Sequence, residues 1–200
     1  MDGKITEAFT INQGVRQRCL LSPLLFNIFI AGLAKSLTSL DEGLIMGNSK
    51  INCIFWADDI VLLYVNGQLD KMIRIISKYC EENKLTINCK KTNCLIFNKN
   101  GRLVREQFFL NGNLLENVRE YKYLGFIFTP SGEIGTGLQD LRNRAFKAFQ
   151  AIKGKMGGSF NSDIVTALSL YDSLIKPILT YASDFWGALK LPKHNPIEGP

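Results

Sequence analysis

The chain has 200 residues, 46% hydrophobic and 21% charged, with a formal net charge of +6. A chain of this length buries roughly 70% of the surface its unfolded form exposes, and 13 Phe argue against disorder. A single histidine, His194 in a Pro-containing tail, excludes most zinc sites and any Ser-His or Cys-His dyad built on a core imidazole. The basic excess, 24 residues against 18, permits a nucleic-acid partner without requiring one.

Cysteines 19, 53, 80, 89 and 94 form no C-x-x-C pair and sit in apolar runs, so buried reduced thiols are expected. No apolar stretch follows Met1-Asp2-Gly3-Lys4. The most hydrophobic run, 20–34, is broken by Ser22-Pro23 and Asn27 and falls short of the ~20 residues of a bilayer span. An intracellular chain, nuclear or cytoplasmic and without a membrane partner, is the expectation.

In chain order, residues 7–11 alternate weakly as a strand and 14–19 read as a loop. Ser22 as N-cap and Pro23 at the first helical position predict a helix over 24–40. It is apolar on most faces and is expected inside the core. Asp41-Glu42-Gly43 stops it, and Gly47-Asn48 marks a turn. Runs 51–56 and 60–65 are β-rich and flank Ala57-Asp58-Asp59, predicting a hairpin with carboxylates at its tip.

Leu69, Met72, Ile73, Ile76, Tyr79 and Cys80 recur at the spacing of an amphipathic helix. Residues 85–87 and 94–97 are strand-like. Asn111-Gly112 between apolar runs predicts a second hairpin, and β character continues over 121–128. Beyond about 135 the pattern turns helical: Leu138, Leu141, Ala145, Phe149 and Ile152 mark one helix, and Gly157-Gly158 a hinge. Residues 164–174 mark a second, and Pro177 opens or kinks a third carrying Tyr181 and Trp186. An α+β region over 1–135, an all-helical region over 136–190 and a flexible tail over 191–200 follow.

Two adjacent anions at a hairpin tip repel each other, and water or a cation relieves the repulsion. Magnesium prefers hard oxygens and usually takes one or two protein carboxylates with phosphate oxygens. Two-metal phosphoryl transfer needs such carboxylates.

The stretch Gly14-Val15-Arg16-Gln17-x-Cys19-x-Leu21-Ser22-Pro23-Leu24-Leu25-Phe26-Asn27, followed by Trp56-Ala57-Asp58-Asp59, resembles the reverse transcriptases of LINE-type (non-LTR) retrotransposons. Asn88-x-x-Lys91-Thr92, Tyr123-Leu124-Gly125 and Pro177-Ile178-Leu179-Thr180-Tyr181-Ala182-Ser183-x-x-Trp186-Gly187 resemble later segments of that family, in order. The resemblance implies an incomplete palm, an antiparallel sheet with packed helices and a primer-grip hairpin, over 1–135. A helical thumb and post-thumb segment follow over 136–190. It implies Asp58 and Asp59 as catalytic carboxylates holding Mg2+, and Lys91 near the departing pyrophosphate. Gln17 and Trp56 would contact nucleotide or template, and Leu124 and Gly125 the primer terminus. Arg142, Arg144, Lys147, Lys153 and Lys155 would hold nucleic-acid backbone. RNA template, DNA primer and dNTP are the implied partners.

Three departures from the family pattern qualify this. The family's further catalytic aspartate lies on a strand well upstream, and only Asp2 and Glu7 precede the Gln17 loop. Arg18 and Leu20 replace a family Gly and Pro, and Trp56 replaces Tyr or Phe. The expectation is therefore a 5′-truncated polymerase fragment, inactive by itself, with an exposed sheet edge that drives self-association. The alternatives are a non-catalytic nucleic-acid-binding remnant or a translated relic.

Overall fold

The computed structural model describes residues 14–16, 18–41, 43–65, 69–157 and 163–187. The expected strand at 7–11, Gln17, Gly158 and the tail at 191–200 lie outside the described residues. In order, the first elements are α1 (Ser22–Thr38), β1 (Leu44–Met46), β2 (Ser49–Ile51), β3 (Cys53–Trp56), β4 (Asp59–Leu62) and α2 (Leu69–Glu82). Short strands follow: β5 (Asn93–Cys94), β6 (Phe109–Leu110), β7 (Asn113–Leu114), β8 (Glu116–Asn117), β9 (Tyr121–Tyr123) and β10 (Phe126–Phe128). The helices α3 (Gly135–Met156), α4 (Ile164–Leu170), α5 (Lys176–Leu179) and α6 (Ser183–Trp186) complete the order, with a π-helical segment at Tyr171–Ile175. The chain divides into two compact units, residues 1–89 with 107–115, and 90–106 with 116–200.

In the first unit, α1 and α2 pack through Ile30, Leu33 and Leu37 against Met72, Ile76 and Cys80. These residues recur at three and four, so each helix turns one stripe inward. The expectation that α1 is buried on most faces is corrected: Leu24, Leu25, Ile28 and Phe29 are exposed. α2 and β3 lie against the 30–33–37 stripe, and an apolar face is buried only where an element covers it. Ser22 falls inside α1 rather than at its N-cap, which is Leu21. The Ser22 hydroxyl instead donates back to the Arg16 carbonyl at 2.5 Å.

Asn52, 3% exposed, joins the helix to the first candidate hairpin. Its Nδ2 donates to the Leu37 carbonyl at 2.6 Å, satisfying a C-terminal helix acceptor. Its own carbonyl accepts from the Leu63 N–H at 2.8 Å. β1 and β2 pair across Gly47-Asn48, and Lys50 bonds Asp41 at 2.7 Å, holding that carboxyl below its usual value.

The sheets are all two-stranded among the described residues. Four pairs are antiparallel, but β5 runs parallel to β8. Of the two strand-like runs around residue 90, only Asn93–Cys94 forms a strand; 85–87 does not. Among the described residues no strand pairs with 85–87, and strand propensity without a partner does not make a sheet. Asn111-Gly112 forms the expected two-residue turn between β6 and β7, with φ of 51° and 77°. In the same unit Phe108 meets Tyr64 edge-on at 5.8 Å.

In the second unit, α3 lies on β10, and its inner stripe of Ala145 and Ile152 packs with Ile175. The expected second helix, 164–174, divides into α4 and the π-helical segment. Asp163 caps α4 by accepting from the Thr166 N–H at 3.1 Å. The expected third helix is likewise interrupted: Tyr181 lies between α5 and α6, beside Ala182 at φ 57°. That left-handed residue is incompatible with a continuous helix.

Gly137 sets the distance between α3 and its hairpin. A Cβ there would stand 2.4 Å from Phe126 Cζ and 2.9 Å from the Ile127 carbonyl oxygen. Ala is the better helix former by about 1 kcal/mol. Even so, Gly137→Ala is expected to destabilise the protein, by about 1–3 kcal/mol from overpacking. A chemical denaturation midpoint that rises instead of falling would refute this account of the contact.

Candidate functional site

The first candidate element is the β3–β4 hairpin. Its register pairs Cys53 with Leu62, Ile54 with Val61, Phe55 with Ile60, and Trp56 with Asp59. Directly opposed residues share a face of the sheet. Cys53, Phe55, Ile60 and Leu62 pack on the α1–α2 core, so Ile54, Val61, Trp56 and Asp59 occupy the other face. The turn is only Ala57-Asp58; Asp59 already belongs to β4. Both carboxylates are exposed, and Trp56 is 64% exposed beside Asp59. Ala57 carries a φ of 52°, the position a II′-like turn usually gives to glycine. A rigid core face thus presents a carboxylate at the tip and a second beside an aromatic ring.

Two adjacent, exposed carboxylates are a donor set that suits magnesium, which completes its shell with water and phosphate oxygens. Among the described residues no group of three or more His, Cys, Asp or Glu gathers as a metal site. The two donors present fit the ion in kind.

The second candidate element is the β9–β10 hairpin, in the other unit. Its two turn residues, Leu124 and Gly125, both take left-handed backbone, at φ 46° and 83°. Arg144 of α3 donates from Nη2 to the Gly125 carbonyl at 2.9 Å. Its Nε meets Asp140 at 3.0 Å, and Asp140 also meets Lys122 of β9 at 3.2 Å. The Tyr181 hydroxyl donates to the Leu124 carbonyl. The structure therefore brings Leu124, Gly125 and Arg144 together.

The remaining cationic candidates spread over several directions. Arg142 and Lys153 are 11 residues apart, about three turns of α3, and so share a direction. Lys147 stands on the side away from the helix's buried stripe, and Lys155 lies on the flank that also carries Arg144. All four are exposed. Lys91 is exposed in the turn before β5, where its carbonyl accepts from Asn93 Nδ2 at 3.3 Å.

All five cysteines are free. Cys80 and Cys94 are buried as expected, whereas Cys19, Cys53 and Cys89 are half-buried. Burial raises the Cys53 and Cys80 thiols, and burial with the nearby Glu106 carboxylate raises Cys94 to about 11. These three are poor nucleophiles.

Tyr181 and Phe185 are the residues that sequence reasoning did not assign. Phe185 sets its ring edge-on to Phe126 at 5.7 Å and tilted to Phe128 at 5.8 Å. The signal for Tyr181 was its place in the Pro177–Gly187 motif, but its partner stands 57 positions away. No local pattern carries that separation.

A family model for reverse transcriptase (RNA-dependent DNA polymerase) matches residues 1–128. The chain is 29% identical over 174 residues to the retrovirus-related Pol polyprotein of the type-2 retrotransposable element R2DM of Drosophila melanogaster, covering 76% of this chain and 16% of that protein. It is 24% identical over 193 residues to the "Probable RNA-directed DNA polymerase from transposon BS" of the same organism, covering 92% and 21%. It is 23% identical over 197 residues to the RNA-directed DNA polymerase from mobile element jockey of Drosophila funebris, covering 93% and 20%. The chain thus spans about a sixth to a fifth of the length of these relatives.

Arg18 stands at φ 62°, a conformation that the family's glycine there adopts freely. Arg18→Gly and Ala57→Gly should each raise the unfolding free energy by about 0.5–1 kcal/mol, net of the greater freedom glycine has when unfolded. Urea titration would show a higher midpoint at unchanged slope; a lower midpoint for both would contradict the assignment of strain.

Proposed function

Because the chain belongs to the reverse transcriptase (RNA-dependent DNA polymerase) family, in company with non-LTR retrotransposon polymerases, we propose that its β3–β4 hairpin is the catalytic hairpin of a polymerase palm. The observation that carries this reading is the exposed Asp58 and Asp59 on a hairpin whose opposite face is anchored in the core. In the same reading residues 1–135 are palm, 136–190 thumb and post-thumb, and 121–128 the primer grip.

Asp58 holds a magnesium ion, with Asp59 as its weaker partner; when bound, such an ion neutralises charge on triphosphate oxygens. Trp56, on the face shared with Asp59, offers a flat apolar surface to the incoming nucleotide or the primer end. Gln17 contacts the nucleotide–template pair by resemblance. Lys91 neutralises or protonates the departing pyrophosphate when the primer hydroxyl displaces it from the nucleotide's α-phosphorus. Leu124 and Gly125 support the primer terminus. The outer edges of the two-stranded β3–β4 hairpin are a surface for self-association.

The hairpin supplies two carboxylates, and the family's catalytic set calls for a further aspartate. Incorporation of dNTP on an RNA template with a DNA primer is therefore expected from a longer polypeptide bearing that aspartate, and not from these 200 residues alone. In that longer protein Asp58→Ala should reduce primer extension to background. Extension indifferent to this change would overturn the catalytic assignment.

A second reading, nucleic-acid binding without catalysis, is favoured by the outward Arg142, Lys147, Lys153 and Lys155. Phosphate contacts release counterions, so affinity for an RNA–DNA duplex should fall linearly on a log–log plot against salt. Replacing Arg142 and Lys153 together by Ala should lower that slope by about 2. A slope of zero in the wild-type chain would exclude the binding reading.

A further inference from the structure

The turn at Leu124-Gly125 is held from two sides by elements that follow it in the chain. Its two carbonyl groups receive one hydrogen bond each, Leu124 from the Tyr181 hydroxyl and Gly125 from Arg144 Nη2. The donors come from different elements, the segment between α5 and α6 and the middle of α3. Each donor is itself fixed. Arg144 is ion-paired with Asp140, which Lys122 also engages from the hairpin's own first strand. The Tyr181 carbonyl accepts from Trp186 Nε1 at 2.7 Å. Phe185 of the same segment lies on Phe126 and Phe128, just beyond the turn.

The backbone explains why such support is needed. A two-residue turn with positive φ at both positions is ordinary for Asn-Gly, and β6–β7 uses that pair. Here the first position is Leu124, whose branched side chain makes the left-handed conformation costly. Strained backbone persists where its surroundings over-determine it. The Tyr181 ring also closes over Gly125, where a Cβ would stand 3.5 Å from the ring and the φ of 83° already disfavours one. Leu124 nevertheless remains 38% exposed, so the clamped turn presents its leucine outward.

We propose that Tyr181 and Arg144 are positioning residues that clamp the Leu124-Gly125 turn in the left-handed geometry by which it supports a primer terminus. This rests on the polymerase reading given above. Neither residue is asked to touch nucleic acid in this role; both act through the two turn carbonyls. The clamp therefore affects ligands that bear a primer end and leaves general backbone binding alone.

The test compares the full chain with Tyr181→Phe, which removes the hydroxyl and keeps the ring. Three readouts are needed: the melting temperature, affinity for single-stranded RNA, and affinity for a DNA primer recessed on an RNA template. Tyr181→Phe should weaken recessed-duplex binding roughly threefold to tenfold, the scale of one hydrogen bond. Single-strand affinity and the cooperative melt should stay as in the wild type. Hydrogen exchange at the amides of 124–126 should quicken in the free protein. Combining Tyr181→Phe with Leu124→Asn, a residue that tolerates the left-handed region, should bring exchange at the 124–126 amides back toward the wild-type rate.

Recessed-duplex affinity unchanged by Tyr181→Phe, equal losses for both ligands, or exchange at 124–126 that Leu124→Asn fails to slow would each overturn the clamp. A wild-type chain that binds recessed duplex no better than single-stranded RNA would overturn the primer-grip reading itself. Accelerated exchange at 124–126 would then show the clamp acting only on the fold.

Discussion

A hairpin turn of two residues, both left-handed and the first a leucine, is the constraint around which the second unit is arranged. Leucine has no intrinsic preference for that backbone, so the conformation has to be imposed from outside. The carbonyls of Leu124 and Gly125 accept from Tyr181 and Arg144, and Asp140 and Trp186 hold those two donors in place. Gly137 lets α3 approach closely enough for its face to lie on the hairpin. The aromatic group of Phe126, Phe128 and Phe185 fills the space beside it.

The first unit treats its own hairpin differently. Ala57 also takes a positive φ, but with a single methyl group the strain is smaller than for leucine. Its rigidity comes from one face: Cys53, Phe55, Ile60 and Leu62 are set into the α1–α2 core, and Asn52 ties the strand to the end of α1. The opposite face and the tip are left to solvent, which is where charged groups are stable without a buried partner. Apolar residues on one side and carboxylates on the other are thus two results of one alternating pattern.

Much of this was legible in the chain. The α2 stripe, the Asn111-Gly112 turn, the carboxylates at the tip of the 53–62 hairpin and the long helix carrying Leu141 and Ala145 follow from short-range periodicity and turn chemistry. The failures have a common cause. Residues 85–87 have strand composition, yet no described strand pairs with them. α1 is apolar nearly all round, yet its burial follows the neighbours that cover Ile30, Leu33 and Leu37. Both depend on partners, and a local pattern does not name partners. The composition changes near residue 135, while the compact units interleave instead, because residues 107–115 return to the first. Compactness counts contacts, and composition does not.

By itself the sequence determined the family, through ordered motifs from Gly14 to Gly187 of which the family model spans those up to residue 128, and the residue types that chemistry would use, Asp58 and Asp59 foremost. Local pattern reads 121–128 as continuous β character, and only the resemblance carried by Tyr123-Leu124-Gly125 marked a hairpin there. Only the tertiary structure decided what Arg144 and Tyr181 touch. A row of basic residues on a helix reads as a surface for phosphate, and a tyrosine in an apolar segment reads as core. Arg144 instead spends a guanidinium N–H on a carbonyl 19 positions away, and Tyr181 its hydroxyl on one 57 positions away. The reason is physical: a hydrogen bond depends on distance in space, and chain folding makes that distance independent of separation along the sequence.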